Sequence, residues 1–246
     1  MPSKFHLIYQ LAMMGAFDVL PQMVKTHGLV SRVGNRMRRK TVAAVSRVAK
    51  TYNGALFQDT PDRLVLENVV IPYYQLDPDV HNIVFVGCDW YTAGYERLFA
   101  HKKFWTIDPD IAKAGFGAAR HQIAPMRNLA ALMAEGQADL VVCNGVIGWG
   151  LNDRDEAEAS FEAAWRILRA GGHLIVGFND RPPHIPFHPD ELAALAHFEP
   201  FTFEPLAAHE HRVDHELRHV YRFYRKPVTE PFFSSPGTRE DIAKPS

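Results

Sequence analysis

One glycine and one acid, 21 residues apart, each follow an apolar segment of the chain. Gly87 follows IVFV, and Asp108 follows FWTI. A glycine at a strand end lets a ligand approach the backbone, and an acid at this spacing can accept hydrogen bonds from two ribose hydroxyls. Alternatively, Asp108 caps the next helix, with Pro109 at the first helical position. Its occurrence together with Gly87 favours a ligand that contains ribose.

The loop after this glycine reads CDWYT, which carries no further glycine. Neither GxGxxG nor GxxxxGK[ST] occurs here, so a dinucleotide or a nucleoside triphosphate is disfavoured. We expect a helix near residues 92–100 to point its first amides at the ligand, with Asp89 as a candidate cap.

Candidate proton acceptors occur in FNDRPPHIPFHPDE, after a later apolar run. Asp180, His184 and His188 are the candidate catalytic residues, because a histidine that titrates near neutrality suits general-base catalysis. Asn179 is a candidate for orienting a substrate. Structural or solvent-exposed roles stay open for all of them, since the segment is rich in proline.

A second histidine group occurs in HEHRVDHELRH, where His211, His215 and His219 recur every four residues. On a helix they would share one face and could bind a metal. The following VYRFYR alternates as a strand, however. We therefore favour a surface hairpin and predict no metal site.

These side chains need a frame, and apolar runs alternating with helical patterns predict a parallel sheet covered on both faces. A short strand near residues 120–124 and a closing strand pair at 198–203 and 219–225 would complete the sheet. The main strands are expected near residues 83–86, 104–107, 140–143 and 173–178, with helices at 92–100 and 156–169.

Residues 1–80 have a different character, with apolar residues at helical spacing followed by a basic segment. That segment is a solvated helix face or a surface for an anionic substrate, a membrane or RNA. It has few aromatic residues, so stacking on single-stranded nucleic acid is not indicated. Its cationic residues, with no acid between them, are Arg32, Arg36, Arg38, Arg39, Lys40, Arg47 and Lys50.

The bulk composition is that of an ordinary globular protein, with 47% apolar and 22% charged residues. A net charge of −1 gives no general attraction to nucleic acid or membranes. Cys88 and Cys143 end apolar runs and are expected to be buried and reduced. The N-terminal apolar stretch does not resemble a signal peptide or a membrane span, so we expect a cytoplasmic protein.

Four segments in order resemble the class I S-adenosylmethionine-dependent methyltransferases: VFVGCDWYT, WTIDPD, ADLVVCNGVIGWGL and FEAAWRILRAGGHLIVGFND. The resemblance covers residues 82–180 and extends to 226 with the closing strands. It implies an α/β fold, namely a doubly wound, mainly parallel seven-stranded Rossmann-like sheet whose last strand is antiparallel. It also implies an N-terminal helical cap over residues 1–80, a methyltransferase domain over 81–226 and a tail over 227–246.

The resemblance also assigns roles around the cofactor S-adenosyl-L-methionine. Gly87 would face its methionine part and Asp108 would hold its ribose, while Asn144 and Gly145 would line the mouth of the site. Residues 121–126 lie where the family contacts adenine. Trp149 would either cover the ligand or close a hydrophobic loop.

The chain departs from the family pattern at two places. Phe85 stands where an acid is common, and DWYT replaces the second and third glycines. We expect Asp89 or Tyr91 to take over contacts to the methionine amino or carboxylate group.

The resulting hypothesis is a methyltransferase acting on an unidentified small molecule that is anionic or linked to a glycan or lipid. The basic N-terminal segment would bind this substrate, contact an anionic membrane or face solvent. The alternatives are an aminopropyl-transferase-like enzyme and a non-catalytic nucleoside-binding module. The methyl acceptor atom, the general base and the oligomeric state do not follow from the sequence.

Overall fold

A computed structural model of the chain describes residues 60–228. Residues 1–59 of the helical cap predicted for 1–80, with the basic segment, and residues 229–246 of the tail predicted for 227–246 lie outside the described residues. The α-helices are α1 (Pro61–Val65), α2 (Ile71–Leu76), α3 (Tyr95–Leu98), α4 (Leu129–Leu132) and α5 (Arg154–Ile167). A π-helical turn, Leu66–Val70, joins α1 to α2, and 3₁₀ turns occur at Ile111–Phe116, Met126–Asn128, Pro189–Glu191 and Ala193–His197. The strands are β1 (Asn82–Val86), β2 (Lys103–Asp108), β3 (Arg120–Ile123), β4 (Ala138–Asn144), β5 (Leu168–Asn179), β6 (Glu199–Pro200), β7 (Glu210–Arg212) and β8 (His219–Arg225).

The described strands form one sheet with the order β3-β2-β1-β4-β5-β8-β6, and β7 also pairs with β8. Strands β1 to β5 are parallel, whereas β8 runs antiparallel to β5. The chain builds outward from β1 to β3, then returns to place β4 on the other side of β1. The strand order therefore reverses between β1 and β4, where open α/β sheets bind their ligands.

Strand β1 shows why the sheet is buried on both faces, since four of its five residues are buried. Ile83 and Phe85 pack into one apolar cluster with the side chains of α2 and α3. Val84 and Val86 pack into the other cluster with those of α4 and α5. Alternate residues thus face opposite helical layers, as a doubly wound sheet requires.

Helix α5 is fixed by its N-cap, because the Asp153 side chain accepts a hydrogen bond from the Glu156 amide at 2.9 Å. Its buried residues recur three or four positions apart and give it one apolar face. The helix ends at Ile167, because Leu168 is already extended and starts β5. The sequence had placed Leu168 and Arg169 at the end of this helix, which was wrong.

The helix expected at residues 92–100 is also shorter than predicted. Gly94 has φ +90° and is the N-cap of α3, which begins at Tyr95. This left-handed residue separates the helix from the loop after β1, so Asp89 does not cap it. The closing pair is present, but its first strand is reduced to Glu199–Pro200, and the short strands β6 and β7 bring the described sheet to eight strands.

The predicted doubly wound, mainly parallel fold is confirmed. Residues 61–76 bury Leu66, Ile71 and Tyr74 in the same apolar cluster as β1. The boundary predicted at residue 80 stays a prediction. None of the helices in residues 60–228 is both long and apolar enough to cross a membrane.

Candidate functional site

A cavity of about 310 Å³ lies at the carboxyl ends of β1, β2 and β4. Its volume is at the lower end of the range of small-molecule sites. All six predicted cofactor residues line it: Gly87, Asp89, Tyr91, Asp108, Asn144 and Gly145. The sheet therefore gathers residues that are far apart in sequence at its point of strand reversal.

Gly87 ends β1 with a backbone that disfavours other residues. Its φ is +84°, and a Cβ atom there would lie 3.2 Å from the Cγ2 atom of Val146. The Gly87 amide donates to the Ile107 carbonyl at 2.8 Å, so it continues the pairing with β2. The glycine turns the chain sharply at the cavity wall and leaves the wall bare.

Asp108 ends β2, is buried and links the two strand ends. Its Oδ2 atom accepts from the Cys88 amide at 2.7 Å, and its Oδ1 atom accepts from the Asp110 amide at 2.8 Å. Asp110, not Asp108, caps the following 3₁₀ turn, so the capping alternative for Asp108 was wrong. A carboxylate can accept about four hydrogen bonds. Asp108 therefore retains acceptor capacity at the cavity for a diol such as ribose.

Solved structures share this arrangement of strands. The N-methyltransferase NodS from Bradyrhizobium japonicum WM9 is 16% identical with a TM-score of 0.53, covering 70% of this chain and 99% of that one. NodS in complex with S-adenosyl-L-homocysteine gives 0.52 at 16% identity, covering 72% and 97%. The PH0226 protein from Pyrococcus horikoshii OT3 gives 0.53 at 16% identity, covering 73% and 97%. No family model and no curated protein matches the chain.

The domain has the class I methyltransferase fold. Identities of 16% establish this likeness for the fold alone.

In this methyltransferase fold the CDWYT loop after β1 has no further glycines, and hydrogen bonds within the loop hold its turn together. The Asp89 amide donates to the Thr92 hydroxyl at 2.9 Å, and the Thr92 hydroxyl and amide both donate to the Asp89 carbonyl at 2.9 Å. The Asp89 side chain accepts from the Trp90 amide at 2.8 Å. The sequence DWYT thus keeps a compact loop without additional glycine.

The cavity carries charges of both signs. Asp89 forms an ion pair of 3.4 Å with Lys113, which also lines the cavity. Burial opposes the charge of Lys113, but nearby Asp108 and Asp89 outweigh it and hold the pKa of Lys113 above its usual value. Glu156 also lines the cavity and pairs with Arg127. The predicted contact of Asp89 with the methionine group stays a prediction.

Behind the cavity, Asn144 is held in a buried polar network. Its Oδ1 atom lies 3.0 Å from the Nε2 atom of His219, whose Nδ1 atom lies 2.7 Å from the Oδ1 atom of Asn179. Burial lowers the pKa of His219 to about 4, with the Asp62 carboxylate opposing the shift. A neutral imidazole donates only one hydrogen bond, so one of the two amides must turn its NH₂ group toward the ring. Asn179 therefore helps to hold the end of β4 in place and does not line the cavity.

The end of the cavity expected to hold adenine is lined by Pro125 and Met126, in the loop after β3. The Ile123 side chain of the same segment is exposed. Trp149 lines the rim with 57% of its surface exposed, and its ring stacks on His184 with centroids 5.0 Å apart. Trp149 is thus open to a ligand at the mouth, whereas the neighbouring Leu151 is the residue whose apolar side chain is buried.

The three predicted catalytic residues have partners outside the cavity or, for His184, at its rim. Asp180 forms an ion pair of 2.7 Å with Arg212 of β7. His184 stacks on Trp149, and the His188 side chain accepts from the Asp190 amide at the start of a 3₁₀ turn. None of the three lines the cavity. Their catalytic roles stay predictions, and the geometry favours structural ones.

Arg63 is a cavity residue that the sequence analysis missed. It lies in α1 and is only 6% exposed, yet it lines the cavity with Tyr91 and Gly145. Its guanidinium lies over the Tyr91 ring, 4.2 Å from the centroid. No motif marks this position. It precedes β1 on a helix whose approach to the strand ends depends on tertiary packing.

The second histidine group spans β7 and β8, and both cysteines are free. His211 lies in β7 and His219 in the closing strand β8, and the two strands pair as a hairpin, but the predicted surface position was wrong for His219, which is buried. In this part of the chain no three His, Cys, Asp or Glu side chains are placed to hold a metal ion. Cys88 and Cys143 are free and buried as predicted, and burial raises their thiol pKa values to about 11 and about 12.

Proposed function

We propose that the protein is an S-adenosyl-L-methionine-dependent methyltransferase acting on a small molecule. The observation that carries the proposal is the Gly87–Asp108 pair on one cavity wall, in which the carboxylate also accepts from the Cys88 amide at 2.7 Å. This pair offers backbone to one part of the ligand and a carboxylate to its ribose. The methyltransferase fold supports the same ligand.

The residues present fit this cofactor along the whole cavity. Asp108 would accept from the ribose hydroxyls, because two of its acceptor positions remain after its two amide bonds. Gly87 has no side chain to obstruct the methionine half, and apolar Pro125 and Met126 suit the flat face of adenine. The bound cofactor would supply an activated methyl group.

The protein's part in such a reaction is positioning and exclusion of water. The buried strand ends Val86 and Ile107 close the base of the cavity, while the rim at Trp149 stays open. An acceptor entering there would approach the cofactor from the exposed side. No fixed proton acceptor is required for an acceptor that reacts in its neutral form.

We further propose an anionic acceptor, whose negative charge the basic segment over residues 32–50 would match. This segment carries seven cations and no acid. The segment lies outside the described residues, so sequence alone supports this step. Reversing charge at Arg38 and Arg39 to Glu should raise the KM for an anionic acceptor without weakening cofactor binding. An unchanged KM would favour the solvated-face interpretation.

Calorimetric titration with S-adenosyl-L-homocysteine tests the proposed activity first. We expect saturable binding to one site, followed by methyl transfer from labelled cofactor to a component of fractionated metabolites. A folded protein that gives no binding up to about 1 mM would contradict the proposal. Binding without transfer to any fraction would instead favour the non-catalytic nucleoside-binding module.

A further inference from the structure

Among residues 60–228, Arg63 is a buried cation with an incomplete set of hydrogen-bond partners. Its side chain reaches the cavity from α1, and its Nη2 atom lies 3.9 Å from the position that a Cβ on Gly145 would occupy. Its Nη1 atom donates to the Tyr95 hydroxyl at 3.3 Å. The Tyr91 ring supports its flat face. The guanidinium is therefore held in place at the end of β4.

Within the described part of the chain, most hydrogen-bond donors of this guanidinium have no acceptor. Arginine carries five N–H donors, and within residues 60–228 Arg63 has one acceptor, the Tyr95 hydroxyl. That hydroxyl donates to the Glu67 carboxylate at 2.7 Å, so this acid reaches Arg63 only through the tyrosine. A buried charge without a direct counterion is costly. A planar anion with two oxygens, such as a carboxylate, would match the remaining donors.

The position of Arg63 indicates which carboxylate it receives. Asp108 ends β2, Gly87 ends β1 and Gly145 lies just after β4, in the sheet order β2-β1-β4. Neighbouring strands are about 4.8 Å apart, so the ends of β2 and β4 are separated by about 10 Å. A nucleoside whose ribose binds Asp108 would extend over Gly87 and bring its far end to Arg63.

On the basis of the proposed function, we infer that Arg63 binds the methionine carboxylate of the cofactor and makes the site selective for the carboxylated form. Asp89 is negative and cannot attract this group, whereas Tyr91 acts through Arg63 by holding the guanidinium. A decarboxylated cofactor, as an aminopropyl transfer would use, leaves Arg63 unpaired. Arg63 therefore favours a methyltransferase over an aminopropyl-transferase-like enzyme.

The test compares two ligands on the full chain by calorimetry. S-adenosyl-L-homocysteine carries the carboxylate, whereas 5′-methylthioadenosine keeps the nucleoside and the sulfur but lacks the amino-acid group. We expect Arg63→Gln to weaken S-adenosyl-L-homocysteine binding roughly 10- to 100-fold, because a charge-assisted pair is lost. Its affinity for 5′-methylthioadenosine should stay within about twofold of wild type, within the error of such differences.

Two further variants sharpen this test. Arg63→Lys keeps the charge and should recover part of the lost affinity, although without the planar pair of donors. Arg97→Gln removes an exposed arginine on α3 that does not line the cavity, and it should bind both ligands as wild type does.

The results that would overturn the inference are distinct. If Arg63→Gln binds S-adenosyl-L-homocysteine like wild type, Arg63 does not hold this carboxylate. If it weakens both ligands equally, its role is structural. If it leaves cofactor affinity intact but raises the KM of a carboxylate-bearing acceptor, the carboxylate belongs to the acceptor. A folded wild type that binds neither ligand overturns the proposed function, and the inference with it.

Discussion

The loops after β1, β2 and β4 converge on one cavity, whereas the segment after β5 reaches its rim through the His184–Trp149 stack and then packs against β7 and forms two 3₁₀ turns. Gly87, Asp108 and Asn144 all line the cavity. Asp180 pairs instead with Arg212, and His188 caps the turn Pro189–Glu191. Both regions are rich in polar side chains near strand ends. The first directs the unused acceptor capacity of Asp108 at the cavity beside the strand reversal.

The difference follows from strand direction and order. Strands β2, β1 and β4 are parallel neighbours, so their carboxyl ends meet at one edge on either side of the strand reversal. Strand β5 is one position further out and pairs with the antiparallel β8 on its other side. Its loop therefore has partners of its own on β7 and β8. Proximity to a strand end thus matters less than proximity to the point of reversal.

The largest difference between the two regions is expected when Asp108 is replaced, because cofactor affinity should then fall. In Asp108→Asn one oxygen can still accept a backbone amide, but the charge that would bind the ribose is lost. Hydrogen bonds to charged groups contribute about 1.5–3 kcal/mol each. We therefore expect S-adenosyl-L-homocysteine affinity to fall roughly 10- to 150-fold in a calorimetric titration.

The matched control is Asp155→Asn, which removes an exposed acid in the first turn of α5. It should leave cofactor affinity unchanged. An Asp108→Asn protein that binds within about twofold of wild type would remove Asp108 from the site.

Replacing two glycines in turn distinguishes backbone strain from ligand contact. The expected effects are smaller than that of Asp108→Asn. Gly87 and Gly94 both have left-handed backbones, but a Cβ on Gly87 would press on Val146, whereas nothing lies within 4 Å of one on Gly94. Left-handed geometry costs other residues about 1–2 kcal/mol. Urea denaturation should show a loss of about this size in Gly87→Ala and in Gly94→Ala.

Only Gly87→Ala should also weaken S-adenosyl-L-homocysteine binding, by roughly tenfold, which corresponds to about 1.4 kcal/mol. The added methyl group lies at the cavity wall there, while Gly94 is not among the lining residues. Equal affinities of the two variants would show that the bare backbone of Gly87 serves folding alone.

The features that the sequence predicted well are those that depend on local pattern and sheet order. Gly87 and Asp108 were predictable because each directly follows a buried apolar strand, and adjacent parallel strands bring their ends together. Strand β8 was predictable from the alternation in HVYRFYR. Helix lengths were less so. Gly94 shortens α3, and Leu168 leaves α5 to join β5.

Arg63 shows why part of the site could not be predicted. It lies on a helix before the first strand, and its sequence context, PDRLVLENVV, reads as an ordinary amphipathic segment. Its approach to the cavity depends on α1 packing beside β8, where the Tyr221 hydroxyl donates to the Asp62 carbonyl at 2.8 Å. Such a contact between distant parts of the chain has no local signature.

The smallest effects are expected in the segment after β5. Asp180→Asn weakens a partly exposed ion pair with Arg212, and such pairs contribute about 0–1 kcal/mol. Urea denaturation should therefore change little, and the rate of methyl transfer should stay within about twofold of wild type, as surface substitutions generally allow. The geometry supports this expectation because Asp180 does not line the cavity.

A loss of roughly 100-fold or more in kcat with unchanged S-adenosyl-L-homocysteine affinity would instead identify Asp180 as a general base. In that case Asp180 would have to reach an acceptor bound at the rim, where His184 of the same segment already stacks on Trp149.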